Sequence, residues 1–521
     1  MIGRCSTGRT GDGGWRRSIR DAAAAHVIPS SQRPAAALLR RLAGGVAPIE
    51  TRISAVFVGP DAAFKLKKAV DLGFLDFTTL AARERFARHE LAINGRFAPD
   101  LYRDVIPVTR APGGGLELGG RGEPVEWVLR MAPVPASDFL EAMAAAHGEL
   151  APDLLDGMAD GVAAMHAALP PVSGVDAPDS MLLALEGTRR AALAARLPAE
   201  RVLAWAAAAR TAFEACAPAL AARAASGRVR RCHGDLHLKN LCLWRGRVTP
   251  FDALEFDEAL ATIDVGYDLA FLLMDLWHRL GQPAANRVLN RYVAQTGDAG
   301  LVAALPPWLS LRAAIRAHAE DDHAAGLDYL ALAEAALRPS APCLVAVGGL
   351  PGTGKTRLAR ALAPDLGPPP GALVLRSDEI RKRRHGVPPE ERLPEGAYTP
   401  AENAAVFAEL AALAGEAQRG GCAVVADAAF LRPEERAAVE AAACGAPFHG
   451  FWLRAPLDVL RARVAARTGD ASDATVPVLE AAASRDPGRV SWRALDADAD
   501  PLPAALAVLS QGRSLGAAVS C

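Results

Sequence analysis

The sequence predicts two domains of different class: an α+β domain, followed by an α/β domain built on a parallel sheet. Three observations carry this. At 521 residues the chain is longer than one hydrophobic core sustains. Beyond residue 342, short apolar strands alternate regularly with helical segments, the pattern of a parallel sheet covered on both faces. Between the two patterns stands Arg338-Pro339-Ser340-Ala341-Pro342, where prolines separate a helix from a new strand. The expected organisation is therefore an extension at 1–25, a first domain at 26–337, a linker at 338–342, a second domain at 343–510 and a tail at 511–521.

The N-terminus is rich in Gly and Arg and lacks an apolar core, so it is not a secretory signal. Two short strands are expected at Ile53–Val58 and Ala62–Leu66, around the turn Gly59-Pro60-Asp61. Lys65 and Lys67 alternate onto one face of that strand region. A helix follows over about Leu80 to Phe97, carrying Glu84 and Glu90. Val125–Met131 is a strand stopped by Ala132-Pro133-Val134-Pro135. From Asp138 to Ala225 the chain is alanine-rich with helical periodicity, broken at Pro170-Pro171 and Pro198. A strand–loop–strand then carries HGDLH and FDALEFD, and helices fill Tyr267 to Leu337. In the second domain, strands are expected at Cys343–Val347, Leu373–Arg376, Ala423–Ala426 and Phe448–Leu453, with helices at Thr356–Ala363 and Leu457–Arg467.

Hydrophobic residues make up 51% and charged residues 22%, and the net charge is −1. That balance suits a soluble globular protein and gives no broad attraction to nucleic acid or membranes. The most apolar stretch, Leu269 to Leu280, is interrupted by Asp275 and His278 and reads as a buried helix. The eight cysteines form no CxxC pair. For a chain of this size that points to reduced, buried thiols and a cytoplasmic location.

Gly349-Leu350-Pro351-Gly352-Thr353-Gly354-Lys355-Thr356 is a Walker A loop between a strand and a helix. Gly349, Gly352, Thr353 and Gly354 let backbone N–H groups curl around phosphate oxygens. Lys355 meets the β/γ charges, and the Thr356 hydroxyl suits Mg²⁺. The helix N-terminus adds its dipole to anion binding. Asp427 closes the run Val424-Val425-Ala426-Asp427 with the form of a Walker B aspartate, a ligand of Mg²⁺ through water, though strand-end turns also use aspartate. Asp378, at the end of the preceding strand, suits a base for an acceptor hydroxyl, and a helix N-cap would look the same. Arg463 and Arg467 share a helix face, either as a lid over the transferring phosphoryl group or as solvated surface.

Arg376-Ser377-Asp378 with Arg381-Lys382-Arg383, Tyr398-Thr399-Pro400, Asp427-Ala428-Ala429-Phe430 and Arg463–Asp473 resembles a bacterial P-loop kinase family. It is related to the zeta-toxin, chloramphenicol phosphotransferase and gluconate kinase group. The resemblance covers about Cys343 to Ser484 and implies transfer of a phosphoryl group to a hydroxyl of a small molecule.

Phosphoryl transfer needs phosphate neutralisation, metal ligands and a carboxylate near the attacking hydroxyl. In His233-Gly234-Asp235-Leu236-His237-Leu238-Lys239-Asn240, Asp235 is the candidate carboxylate and Asn240, five residues on, a candidate metal ligand. Asp252, after the strand Arg247–Phe251 and the turn Trp244-Arg245-Gly246, has the position of the second metal ligand. Lys65 is the preferred phosphate lysine, with Lys67 pointing the same way, and Glu90 is its ion-pair partner. His233 reads as structural. Glu255 and Asp257 fit either a third metal ligand or a turn.

HGDLHLKN, Asp252 and Ile263-Asp264…Tyr267-Asp268-Leu269-Ala270 resemble the aminoglycoside phosphotransferase family, a branch of the protein-kinase-like fold. FKLKKAVDLGFLDFTTLAARERF and Glu126–Met131 are similar to a subgroup of it fused to a P-loop domain. The resemblance spans about Pro48 to Ala335. Phe251-Asp252-Ala253 has alanine where protein kinases have DFG, and no acidic antibiotic pocket is recognisable. The family name therefore gives no substrate.

Both readings converge on a bifunctional phosphotransferase. Each domain would use ATP and Mg²⁺ and a small-molecule hydroxyl acceptor, with no nucleic-acid or membrane partner. Two alternatives remain: a kinase regulated by a P-loop ATPase domain, and a nucleotide sensor without turnover.

Overall fold

The computed structural model describes residues 27–73, 75–466 and 471–517, with side chains up to 510. The expected extension at 1–25 and Arg467 lie outside the described residues. Contacts divide the chain into two compact units. One holds the residues up to Ala142 with His233–Asp235 and Lys239–Ala261; the other holds Met143–Cys232, Leu236–Leu238 and the chain from Thr262 onward. The stretch at 338–342 lies inside the second unit.

The first unit is built on a six-stranded antiparallel sheet of order β1-β2-β3-β6-β4-β5. Its strands are β1 (Ile49–Glu50), β2 (Ser54–Val58), β3 (Ala63–Lys67), β4 (Tyr102–Arg110), β5 (Leu116–Leu118) and β6 (Pro124–Met131). The β2–β3 hairpin sets Val56 opposite Lys65 and Phe57 opposite Phe64. Because side chains alternate along a strand, Phe64 and Leu66 enter a core with Phe57, Val108 and Val128. Leu38 and Leu39 of helix α1 (Arg33–Leu42) close that core. Lys65 and Lys67 are left on the other face. Helix α2 (Leu80–Asn94) starts at Thr79, whose hydroxyl accepts the Ala82 N–H. It carries Glu90, which is fully buried.

After β7 (Val229–Arg231), a strand of the second unit, the chain re-enters the first with the HGD loop and the ribbon β8 (Leu241–Trp244)–β9 (Arg247–Pro250). Arg245 and Gly246 turn that ribbon with φ of 50° and 75°. Left-handed conformation at both central positions matches the right-handed strand twist.

In the second unit, β7 pairs antiparallel with β10 (Thr262–Asp264) beside a set of helices. These include Pro152–Ala168, Val265–Leu280 and Gln282–Thr296. His166, Cys232 and Asp268 come together here, fully buried, with spacing that could hold a metal ion. Both His166 ring nitrogens already have partners, Asp268 at 3.1 Å and Tyr292 at 3.0 Å, so the cluster satisfies its own polar groups. Burial pushes the Cys242 and Cys422 thiols up to about 12, in keeping with inert, reduced cysteines.

The remainder of that unit is a parallel sheet of order β12-β13-β11-β14-β15. It comprises β11 (Leu344–Gly349), β12 (Leu373–Arg376), β13 (Val424–Asp427), β14 (Phe448–Arg454) and β15 (Arg493–Asp496). Every pairing in it is parallel, so the carboxyl ends of β11, β12 and β13 open at one end of the sheet. Among the described residues no helix is long and apolar enough to cross a membrane.

Candidate active sites

In the first unit the predicted residues converge on a chain of linked charges, buried except at Asp252. Lys65 Nζ lies 2.7 Å from Glu90 Oε1 and 2.5 Å from Asp252 Oδ1. Glu90 Oε2 takes a second lysine, Lys67, at 2.7 Å, and Lys67 also pairs with Glu255. Of the two lysines, Lys65 is the one joined to Asp252. Burial alone would raise the Glu90 pKa, but the ammonium groups of Lys65 and Lys67 outweigh it and hold the carboxyl down to about 2. Burial would likewise discharge Lys65. Asp252 and Glu90 reverse that and lift its pKa well above the usual value.

Asp235 and Asn240 are bonded to each other. The Asn240 amide donates to the Asp235 carboxylate at 3.0 Å and to its carbonyl at 2.9 Å. Both His233 ring nitrogens are engaged within the loop: Nε2 meets the Phe251 carbonyl at 2.8 Å, and Nδ1 accepts the Asp235 N–H at 3.3 Å. Asp252 has φ of 60°, unusual for a residue with a side chain. Its N–H bonds to the Tyr102 hydroxyl at 2.9 Å, and the Ala253 N–H to Asn94 Oδ1 at 2.8 Å. Asp252 and the amide oxygen of Asn240 are hard oxygen donors, the type Mg²⁺ prefers. Glu255 is the partner of Lys67. Asp257 accepts backbone N–H groups from Ala259 and Leu260, a turn former.

The phosphate loop of the second unit leaves β11 and enters helix Lys355–Leu362. A Cβ on Gly349 would lie 2.6 Å from the Leu453 carbonyl oxygen, and Gly354 caps the helix with φ of 82°. Both positions need glycine. A Cβ on Gly352 would also crowd the Leu460 carbonyl, at 3.0 Å. Thr353 shapes the loop: it is buried, and its hydroxyl donates to the Leu350 carbonyl at 2.8 Å. Lys355 Nζ donates to the same carbonyl at 3.0 Å.

Thr356 Oγ1 donates to Asp427 Oδ2 at 2.5 Å, which brings the two predicted metal-site residues together. These oxygens are again hard donors. Buried Arg376, to which the sequence assigned no role of its own, reaches Asp427 at 3.3 Å and Glu379 at 2.7 Å. Asp378 faces a cleft of about 1010 Å³ shared with Lys355, Thr356, Asp427 and Tyr398. It is no helix cap, because the helix Ser377–Arg384 is preceded by Arg376 and Asp378 lies in its first turn. Burial pushes its pKa up; Arg376 opposes this and Asp427 adds to it. Arg463 lines the same cleft, but its guanidinium donates to the Ala497 carbonyl at 2.8 Å. The neighbouring Asp473, likewise without an assigned role, accepts from Lys382 at 2.6 Å, Tyr398 at 2.5 Å and the Leu393 N–H at 3.0 Å.

Residues 79–308 match the model of the phosphotransferase enzyme family, and residues 344–485 match that of an AAA domain. The chain is therefore similar to the phosphotransferase enzyme family over its earlier part and to an AAA domain, of the P-loop type, over its later part. Uncharacterized proteins of Mycobacterium tuberculosis (strain ATCC 25618 / H37Rv) and Mycobacterium bovis are each 29% identical to it over 457 residues, 84% of this chain and 89% of theirs. Among solved structures, a gluconokinase from Sinorhizobium meliloti 1021 is 24% identical, with TM-score 0.24, over 34% of this chain and 99% of its own. A choline/ethanolamine kinase family protein from Mesorhizobium loti is 14% identical, with TM-score 0.36, over 59% of this chain and 95% of its own.

Proposed function

We propose that the chain is a bifunctional phosphotransferase, with an ATP-dependent site in each compact unit and a small-molecule alcohol as acceptor at each. One observation carries this reading. Each unit contains, without borrowing from the other, a cation for phosphates, a pair of oxygen donors and a carboxylate for the acceptor. In the first these are Lys65, Asp252 with Asn240, and Asp235. In the second they are Lys355, Thr356 with Asp427, and Asp378.

At the first site Lys65, held by Glu90, contacts the nucleotide phosphates. Asp235, fixed by Asn240, orients the acceptor hydroxyl and receives its proton. At the second site the glycine loop and Lys355 cradle the phosphates, and Asp378 takes the proton. Mg²⁺, held by Asp252 and Asn240 or by Thr356 and Asp427, would neutralise charge on the phosphates when bound.

The test is incubation of the whole protein with γ-labelled ATP and a library of small alcohols, alongside Asp235→Ala and Lys355→Ala variants. Labelled product lost with one variant alone belongs to that unit. If one variant abolishes every product, the other site has no acceptor of its own.

A second reading, regulation of the kinase domain by a P-loop ATPase domain, draws on one contact. Helix Gln282–Thr296 bonds to β12, the strand that leads to Asp378. Nucleotide at the phosphate loop would then act on the helices of the phosphotransferase segment.

A further inference from the structure

We propose that Lys67 and Glu255 are positioning residues that lock the metal-ligand loop of the first site onto its sheet, so that this site stands permanently assembled. The inference rests on reading the first unit as a Mg²⁺–nucleotide site.

The two lysines of β3 have different surroundings although they share a face. Lys65 bridges Glu90 and Asp252, and the Asp252 side chain is 41% exposed. Lys67 bridges Glu90 and Glu255, whose side chains are 0% and 5% exposed. Its ammonium also lies 5.2 Å from the centre of the buried Phe77 ring. Lys67 therefore has buried partners only, whereas Lys65 opens toward the exposed carboxylate.

Charge explains why both are needed. Three carboxylates (Asp252, Glu90, Glu255) face two ammonium groups, leaving one negative charge in excess. The exposed member of the set is Asp252, where a divalent cation would be held. When Lys65 turns to a phosphate and Asp252 to a metal, Glu90 keeps Lys67, so its buried charge is never abandoned.

Glu255 lies three residues beyond Asp252, across a loop with a left-handed residue at its start. Its tie to Lys67 fixes the far end of that loop, while the Ala253 and Leu254 N–H groups are fixed by Asn94 and the His233 carbonyl. The backbone of Lys67 is pinned in turn, since buried Gln32 donates to its carbonyl at 2.8 Å and also bonds to Glu126. The strand, the helix bearing Glu90 and the metal-ligand loop thus share one ion network.

The test uses the full chain in a Lys355→Ala background, which silences the phosphate loop. ATP binding is measured by calorimetry with and without Mg²⁺, and exchange of the loop amides by mass spectrometry. Glu255→Gln and Lys67→Met should bind metal-free ATP as the parent does and lose about tenfold or more of the enhancement given by Mg²⁺. Exchange at 253–256 should accelerate, and Lys67→Arg should restore most of both. Because Lys67→Met strands the buried Glu255 and leaves Glu90 with Lys65 alone, Glu255→Gln, which keeps size and shape, is the deciding variant. Parental Mg²⁺ enhancement and parental exchange in Glu255→Gln overturn the positioning role. A parent that binds no Mg²⁺–ATP at all overturns the reading of the first site, and the inference falls with it.

Discussion

Asn290 completes the edge of the parallel sheet: its Oδ1 accepts the Val374 N–H of β12 at 2.6 Å, while its amide nitrogen donates to the Ala372 carbonyl at 3.2 Å. One side chain thus stands in for a neighbouring strand, and Asn286 adds a bond of 3.0 Å to Ala372. An exposed edge is an unpaired template that proteins cover. Here a helix before residue 338 covers a strand after it, which is why contacts place both in one unit. Asn290→Leu should leave the Val374 N–H unpaired and cost about 1–3 kcal/mol, read as a lowered denaturant midpoint with unchanged slope. Unchanged stability would mean that the cover is dispensable.

Glu90 governs the acid stability of the first unit. Its pKa falls from the ordinary 4.5 to about 2 on folding. A depressed carboxyl stabilises the fold fully above its unfolded value and loses that contribution as pH drops toward the folded one. Glu90→Gln should therefore flatten the stability profile between about pH 4.5 and pH 2. At neutral pH it should also destabilise by about 3–5 kcal/mol, because two buried ammonium groups lose a shared partner. Chemical denaturation across that pH range checks both effects.

Local pattern made much of this legible. The alternation of Lys65 and Lys67, the turn at Arg245-Gly246 and the glycine loop each follow from short-range backbone geometry, and each falls where the pattern puts it. β4 was hidden, because Arg103, Asp104 and Pro107 break its apolar alternation and its register against β6 shifts twice. The helix Arg33–Leu42 falls between the extension and the first expected strand, a stretch where no element was expected. Glu255, Asn290 and Arg376 acquire their roles only through partners 188, 84 and 51 residues away in sequence. No local period records such pairings. The choice between Lys65 and Lys67 is of the same kind, since Asp252 and Glu255 distinguish them in space and not along the strand.

Thr356 and Asp427 should fail together. Each is half of a charge-assisted hydrogen bond, and such bonds contribute roughly 1.5–3 kcal/mol. Thr356→Ala and Asp427→Asn should each weaken Mg²⁺-dependent nucleotide binding at the phosphate loop by about ten- to a hundredfold, and the double variant by less than the product. An Asp252→Ala background, which removes a metal ligand of the first site, isolates the phosphate loop in a calorimetric titration. Fully multiplicative losses would show that the two residues act independently.

Asp378 separates a P-loop kinase from a P-loop ATPase regulator. As a base it must be ionised, and burial places its pKa above the ordinary 3.8. The rate of acceptor phosphorylation by the second unit should therefore fall on the acid side at a pH above that value, with neutral pH on the active plateau. Asp378→Asn should remove about 10²–10⁴-fold of the rate and abolish the acid limb, while ATP affinity stays at the parental level because the phosphates are held by Lys355 and the glycine loop. Ser472 bonds to the Asp378 carboxylate and opposes its upward shift, so Ser472→Ala should move the limb to higher pH without removing it. Rate–pH profiles of the three proteins in an Asp235→Ala background decide the matter. An Asp378→Asn protein that retains ATP hydrolysis, when the parent phosphorylates no alcohol, would make the second unit a regulator with no acceptor of its own.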